Sequence, residues 1–192
     1  MLICPKEINF NDIKKKKSLS ASNFSKIDIK KEYKQTLSEF LDEAKPFETG
    51  EEPGSFAYVK SSRISFLRNS CIDSLNSTNQ IAKEIFINPK YGYSNSLIAD
   101  DILLCKDANI GDTCLFIPKE GQEYVFSSGV VKLNFKDELS KYYALAFLRD
   151  EYFQHQLDAK TPRGSTIRHA GSNFLDCLLP SMGIKERRSE ER

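Results

Sequence analysis

Tryptophan is absent from the 192 residues, only two histidines occur (His155 and His169), and no two cysteines form a C-x2-C pair. A structural zinc site needs clustered cysteine and histidine ligands at short spacings, so the sequence excludes one and calls for no metal or cofactor. Cys4, Cys71, Cys105, Cys114 and Cys177 are scattered, odd in number and mostly flanked by apolar residues. That is the pattern of reduced core thiols in a cytoplasmic protein. No uninterrupted apolar run approaches the ~18 residues that a spanning helix needs, so no membrane segment is expected. The leading MLICPKEINFNDIKKKK lacks the apolar core and small-residue cleavage site of a signal peptide. Net charge is lacking as well: 28 Lys and Arg against 27 Asp and Glu leave +1. The whole chain therefore advertises no polyanion partner.

What is present is a core. Forty per cent of the residues are hydrophobic, with 13 Phe and 8 Tyr, and the mean hydropathy is -0.46. These values describe one globular domain of ordinary size. Residues 1–27 are polar and Lys-rich, with a run at Lys14-Lys15-Lys16-Lys17 that reads as a solvated terminus. From Ser25 and Asp28 onward, Ile29, Tyr33, Leu37, Phe40, Leu41 and Ala44 recur at three- and four-residue steps before Pro46. This spacing predicts an amphipathic helix over 28–44. Residues 37–52 hold six acids against Lys45, and Gly50 to Gly54 follows as a turn.

Short apolar runs then predict strands at 56–59, 64–67, 84–87, 102–105, 113–117, 124–126 and 130–133, a β-rich region over 55–135. Residues 106–112 form the tip of a hairpin between two of them. A second helix is predicted from the cap Asp137 through Leu139, Tyr142, Tyr143, Ala146, Phe153 and Leu157. Beyond it lie a loop over 160–171, a helical turn at 172–176, an apolar stretch ending at Pro180 and a charged tail at 181–192. The expected fold class is α/β of the α+β type: one globular domain with a curved, mostly β central region flanked by helices.

Enzyme readings fail on context. Asn88-Pro89-Lys90-Tyr91 has only part of the Asn-Pro-Pro-Tyr loop of amino-methyltransferases, and no glycine-rich cofactor turn precedes it. Glu43-Ala44-Lys45 has the Glu-x-Lys shape of metal-dependent nucleases, but on a predicted helix rather than a strand. Neither histidine sits in a nucleophile context, and no P-loop is present. No catalytic activity is expected.

Binding has positive signals. Lys60 to Arg68 holds three cations and no acid; Lys160 to His169 holds Lys160, Arg163, Arg168 and the titratable His169, again without an acid. Both interleave cations with Ser and Thr hydroxyls, a mixture suited to phosphates and, through Arg, to guanine edges. A solvated loop balancing the acidic 37–52 stretch is the plainer reading of the same residues.

Three blocks in order carry a family resemblance: Ala99-Asp-Asp-Ile-Leu-Leu-Cys-Lys-Asp-Ala-Asn-Ile-Gly111, Ser127-Ser-Gly-Val-Val-Lys-Leu133, and Pro162-Arg-Gly-Ser-Thr-Ile-Arg-His-Ala-Gly171 leading to Phe174-Leu-Asp-Cys-Leu-Leu-Pro180. With the helix segment Tyr142-Tyr-Ala-Leu-Ala-Phe-Leu148, the chain resembles the target recognition domain of type I restriction-modification specificity subunits over roughly 45–180. The resemblance implies a recognition-like domain at 28–180 that reads one half of a split double-stranded DNA target. It also implies no catalysis of its own, with separate modification (methyltransferase) and restriction subunits as partners. A second recognition domain, or pairing with another copy of the chain, would supply the other half. The competing class is a protein-interaction or assembly module of the same fold without DNA readout.

The expected contacts are, first, Arg163, Ser165, Thr166, Arg168 and His169: hydroxyls on phosphate, Arg163 or Arg168 on guanine, with Arg168 alternatively pinning the loop. Next comes the hairpin tip, Lys106, Asp107 and Asn109, where Asn can pair with adenine or simply form the turn. Arg63, Arg68 and Asn69 follow. Ser127 and Ser128 read as a strand bend, and Tyr91 and Tyr93 as the aromatics least committed to the core.

Overall fold

A computed structural model describes residues 2–3, 7, 9–16, 26–72, 85–162 and 168–182. The chain runs through β1 (Leu2–Ile3), α1 (Phe10–Lys16), β2 (Lys26–Ile27), β3 (Tyr33–Thr36), β4 (Phe47–Thr49), β5 (Tyr58–Val59), β6 (Ile64–Leu67) and β7 (Phe86–Ile87). It continues through β8 (Ile102–Cys105), β9 (Thr113–Leu115), β10 (Glu123–Phe126), β11 (Val130–Leu133), α2 (Glu138–Leu148), α3 (Glu151–Lys160) and β12 (Leu178–Pro180). The α+β class expected from sequence is what forms.

The middle layer is the antiparallel sheet β4-β11-β8-β9. Side chains alternate across a strand, so Ile102 and Leu104 face one core while Leu103 and Cys105 face another. Both faces are covered, which is why Ile-Leu-Leu-Cys is apolar throughout rather than alternating. On one side the sheet packs against α2, α3 and two 3-10 turns, through Leu37, Phe40, Ala144, Leu148, Phe153, Leu157 and Phe174. On the other it packs against a second sheet, β10-β6-β7-β5, through Leu67, Phe116, Tyr124 and Phe126.

Three residues carry the chain from one sheet to the other. β10 pairs with β6 in parallel; after Ser127-Ser128-Gly129 the chain enters β11, which pairs with β8 and β4. The Val130 N–H donates to the Ser127 carbonyl at 3.0 Å, closing the bend expected at these serines. Here Gly50 comes so close that a Cβ would lie 2.0 Å from the Phe126 carbonyl oxygen.

The predicted helix over 28–44 is not there. Tyr33–Thr36 is a strand paired with β12, and Leu37–Phe40 is a single 3-10 turn. The apolar spacing misled because a strand followed by a tight turn also buries Tyr33, Leu37, Phe40 and Leu41. Thr36 and Glu39 form the capping box: the Glu39 carboxylate accepts from the Thr36 N–H at 2.8 Å. Its position places a helical start at 37. The second predicted helix is two, broken at Arg149-Asp150, where the Asp150 carboxylate accepts from the Tyr152 N–H and caps α3. The N-terminal segment, expected to be a solvated terminus, contains α1 and a β1–β2 pair.

Candidate nucleic-acid interface

The β8–β9 hairpin forms as expected, with its tip over 106–112. Ala108 and Gly111 adopt left-handed backbone (φ 56° and 93°), and the Asp112 N–H donates to the Asn109 carbonyl. Asn109 is thus a turn residue whose side chain remains exposed. The tip is braced from three directions. From α3, the Gln154 amide donates to the Gly111 carbonyl at 2.9 Å. From the turn after β6, the Asn69 amide donates to the Asp107 carbonyl. From the β10–β11 bend, the Gly129 carbonyl accepts from the N–H groups of Lys106 and Asp107. A Cβ at Gly129 would lie 2.7 Å from Asn69 Oδ1, so the bare backbone there leaves room for the Asn69 side chain.

The segment Arg168–Ala170 zips against the tip. The Ala108 N–H donates to the Arg168 carbonyl, the Ala170 N–H donates to the Lys106 carbonyl, and Asp107 and His169 form an antiparallel bridge. Their side chains meet as well, His169 Nδ1 to Asp107 Oδ1 at 2.8 Å, and Lys106 Nζ reaches Asp107 Oδ2 at 3.3 Å. Lys106 is mostly enclosed, its side chain 19% exposed, whereas that of His169 is 62% exposed.

Arg168 takes the pinning role. Its Nη1 binds Asp158 Oδ1 at 2.6 Å and its Nη2 donates to the Asp158 carbonyl at 3.1 Å, fixing it to α3. Arg163, Ser165 and Thr166 lie outside the described residues. Thr161, just before them, is buried and anchored by its Oγ1 donating to the Leu157 carbonyl.

Lys106, Asp107, Asn109, Arg168, His169, Arg68 and Asn69 therefore share one end of the molecule. Arg63 does not. β6 and β10 are parallel, with Glu123 opposite Ile64 and Phe126 opposite Leu67, so Arg63 and Arg68 flank opposite ends of β6. A three-residue strand step separates those ends by roughly 10 Å. Arg63 pairs with Glu123 at 3.5 Å between two exposed side chains. Tyr91 and Tyr93 belong to the Arg63 end too, lining a cavity of about 480 Å³ with Ile64, Leu97 and Glu123. Asp158, Gln154 and Gly129 were missed by sequence reading. Each acts on a partner more than nine positions away, and no local spacing advertises such a contact.

Among the described residues Cys71, Cys105, Cys114 and Cys177 are free and buried. Burial pushes the Cys114 and Cys177 thiols up to about 12 and raises Cys105 as well, so all three are held as thiols at neutral pH. Among the described residues no group of three or more His, Cys, Asp or Glu side chains could hold a metal ion. No described helix is long and apolar enough to cross a membrane.

No family model and no curated protein matches the chain. Solved structures do. The chain has the mixed α/β fold found in type I restriction-modification (R-M) S subunits, and 13–16% identity makes this a likeness of fold. It superposes on a chain of a type I R-M system solved for complex assembly and conformational transition, with TM-score 0.56, 16% identity and 85% of this chain covered. The S subunit from M. genitalium gives TM-score 0.52 at 13% identity over 86% of the chain. The HsdS subunit from Thermoanaerobacter tengcongensis gives 0.53 at 16% over 85%. This chain spans 37%, 38% and 36% of those chains, little more than a third of each.

Proposed function

We propose that the chain is a non-catalytic, cytoplasmic DNA-recognition component of a type I R-M system. It reads one half of a bipartite double-stranded target and directs separate methyltransferase and restriction subunits. One observation carries this reading: within a fold shared with S subunits, the hairpin tip, the turn after β6 and the segment entering at Arg168 converge on one end. Arg68, Asn109 and His169 are exposed there, and Arg163, Ser165 and Thr166 precede Arg168 in the sequence. Arg163 is assigned to guanine or phosphate, Ser165 and Thr166 to phosphate, and Asn109 to a base edge. Arg168 and Lys106 position the tip and its neighbours. Arg63, at the far end of β6 and paired there with Glu123, is assigned a peripheral phosphate contact.

The second reading, an assembly module without DNA readout, draws on the internal pairing of Lys106 and Arg168, which removes two cations from the surface. Selection from random duplexes at two salt concentrations separates the two. The native chain enriches a short half-site of about 3–5 base pairs, and Arg163→Ala/Asn109→Ala loses the enrichment while keeping the native thermal transition. Absence of duplex binding at low salt, where weak phosphate contacts persist, moves the assignment to the assembly module.

A further inference from the structure

Asp107 is an odd residue to find at a surface meant for phosphates. Its carboxylate sits on the hairpin tip, 17% exposed, where a bare negative charge opposes a polyanion. Among the described residues two groups face it: Lys106 Nζ at 3.3 Å from its own strand end, and His169 Nδ1 at 2.8 Å from the opposing segment. Arg168, next to His169 in the chain, is already committed to Asp158 on α3. Asn69, from the turn after β6, binds the Asp107 backbone and leaves the carboxylate to the lysine and the imidazole.

The Asp107 contact decides what the imidazole shows to the outside. With Nδ1–H donated to a carboxylate, a neutral ring has Nε2 left as a lone-pair acceptor, on a side chain 62% exposed. An acceptor repels phosphate oxygen. Protonation turns the same atom into an N–H donor, strengthens the bond to Asp107 and adds a positive charge. Imidazole is the side chain whose charge changes across the physiological range.

We propose that His169, held by Asp107, is a proton-linked positioning residue for duplex binding: the complex takes up a proton on the imidazole and presents Nε2–H to a backbone phosphate. This rests on the DNA-recognition reading above. The sign follows from linkage. A group that holds its proton more tightly in the complex makes affinity rise as pH falls, and the gain vanishes at alkaline pH. Asp107 supplies the counter-charge, 2.8 Å from the ring nitrogen.

Duplex affinity measured by fluorescence anisotropy at fixed low ionic strength is expected to rise roughly fivefold between pH 8 and pH 6. Calorimetry in two buffers of different ionisation enthalpy reads the uptake directly, at up to about one proton per complex. His169→Gln, whose amide can still donate to Asp107, flattens the pH profile and abolishes the uptake without changing the thermal transition. Asp107→Asn binds more tightly than the native chain at pH 8 and has a shallower profile. A native affinity independent of pH, or a slope surviving in His169→Gln, overturns the proposal while leaving DNA recognition standing. No duplex binding at any pH at low salt removes the recognition reading and this proposal together.

Discussion

At the scale of single residues, the demands are set by backbones that come unusually close. Gly50 is the clearest case. Its N–H donates to the Val130 carbonyl and the next residue, Glu51, donates to the Phe126 carbonyl, so β4 leaves the middle sheet directly over the bend. A methyl group there would overlap the carbonyls of Phe126 and Ser127, neither of which can rotate away as a side chain could. Gly50→Ala is expected to cost roughly 3 kcal/mol, read as a lowered urea midpoint at unchanged slope. The sequence marks Gly50 only as part of a Gly/Pro turn. The contact that makes it irreplaceable comes from strand β10, more than 70 positions later.

At the scale of elements, legibility followed the reach of the interaction. The β8–β9 hairpin was readable because both strands and the seven-residue tip lie within one short stretch, and each strand is apolar enough for a sheet buried on both faces. β3 was not readable, because what makes Tyr33–Thr36 extended is pairing with Leu178–Pro180. Locally, the apolar residues have a helix-like spacing, and only the Thr36–Glu39 capping box marks where the extended segment ends. The break between α2 and α3 was readable in principle: Asp150 followed by Glu151 is an N-cap signature inside the predicted helix. Asp150 also accepts from the Tyr33 hydroxyl at 3.1 Å, joining α3 to β3. Burial first, then the Asp150 charge and this hydrogen bond, push the Tyr33 hydroxyl up to about 12. Asp150→Ala should therefore lose the cap and the bridge, about 2 kcal/mol together, lowering the melting temperature by roughly 6 °C. Asp150→Asn, which can still cap, is expected to lose less. The cations of the 160–169 segment are what mark it in the sequence as a candidate contact. The structure gives Arg168 to Asp158, a carboxylate on another element that no reading of the loop's own composition would supply.

At the scale of the whole molecule, the middle sheet ties the two cores into one unit. β8 and β11 contribute alternate side chains to each, so neither core can come apart without exposing the other. Urea unfolding followed by tyrosine fluorescence and by far-ultraviolet circular dichroism is expected to give one coincident transition. Two separated transitions would mean that the helical side and the second sheet are independent. The β3–β12 pair carries a further consequence, one that belongs to the making of the chain. The Met182 N–H reaches the Gln35 side chain across 147 residues, alongside the Leu178–Thr36 pairing. On a ribosome adding about 5–20 residues per second, Tyr33–Thr36 waits on the order of ten seconds before its partner strand has even been synthesised. For that interval the strand must survive with an open edge, and Lys31, Glu32 and Lys34, charged residues within and just before it, are the kind of side chains that keep such an edge from pairing with the wrong neighbour.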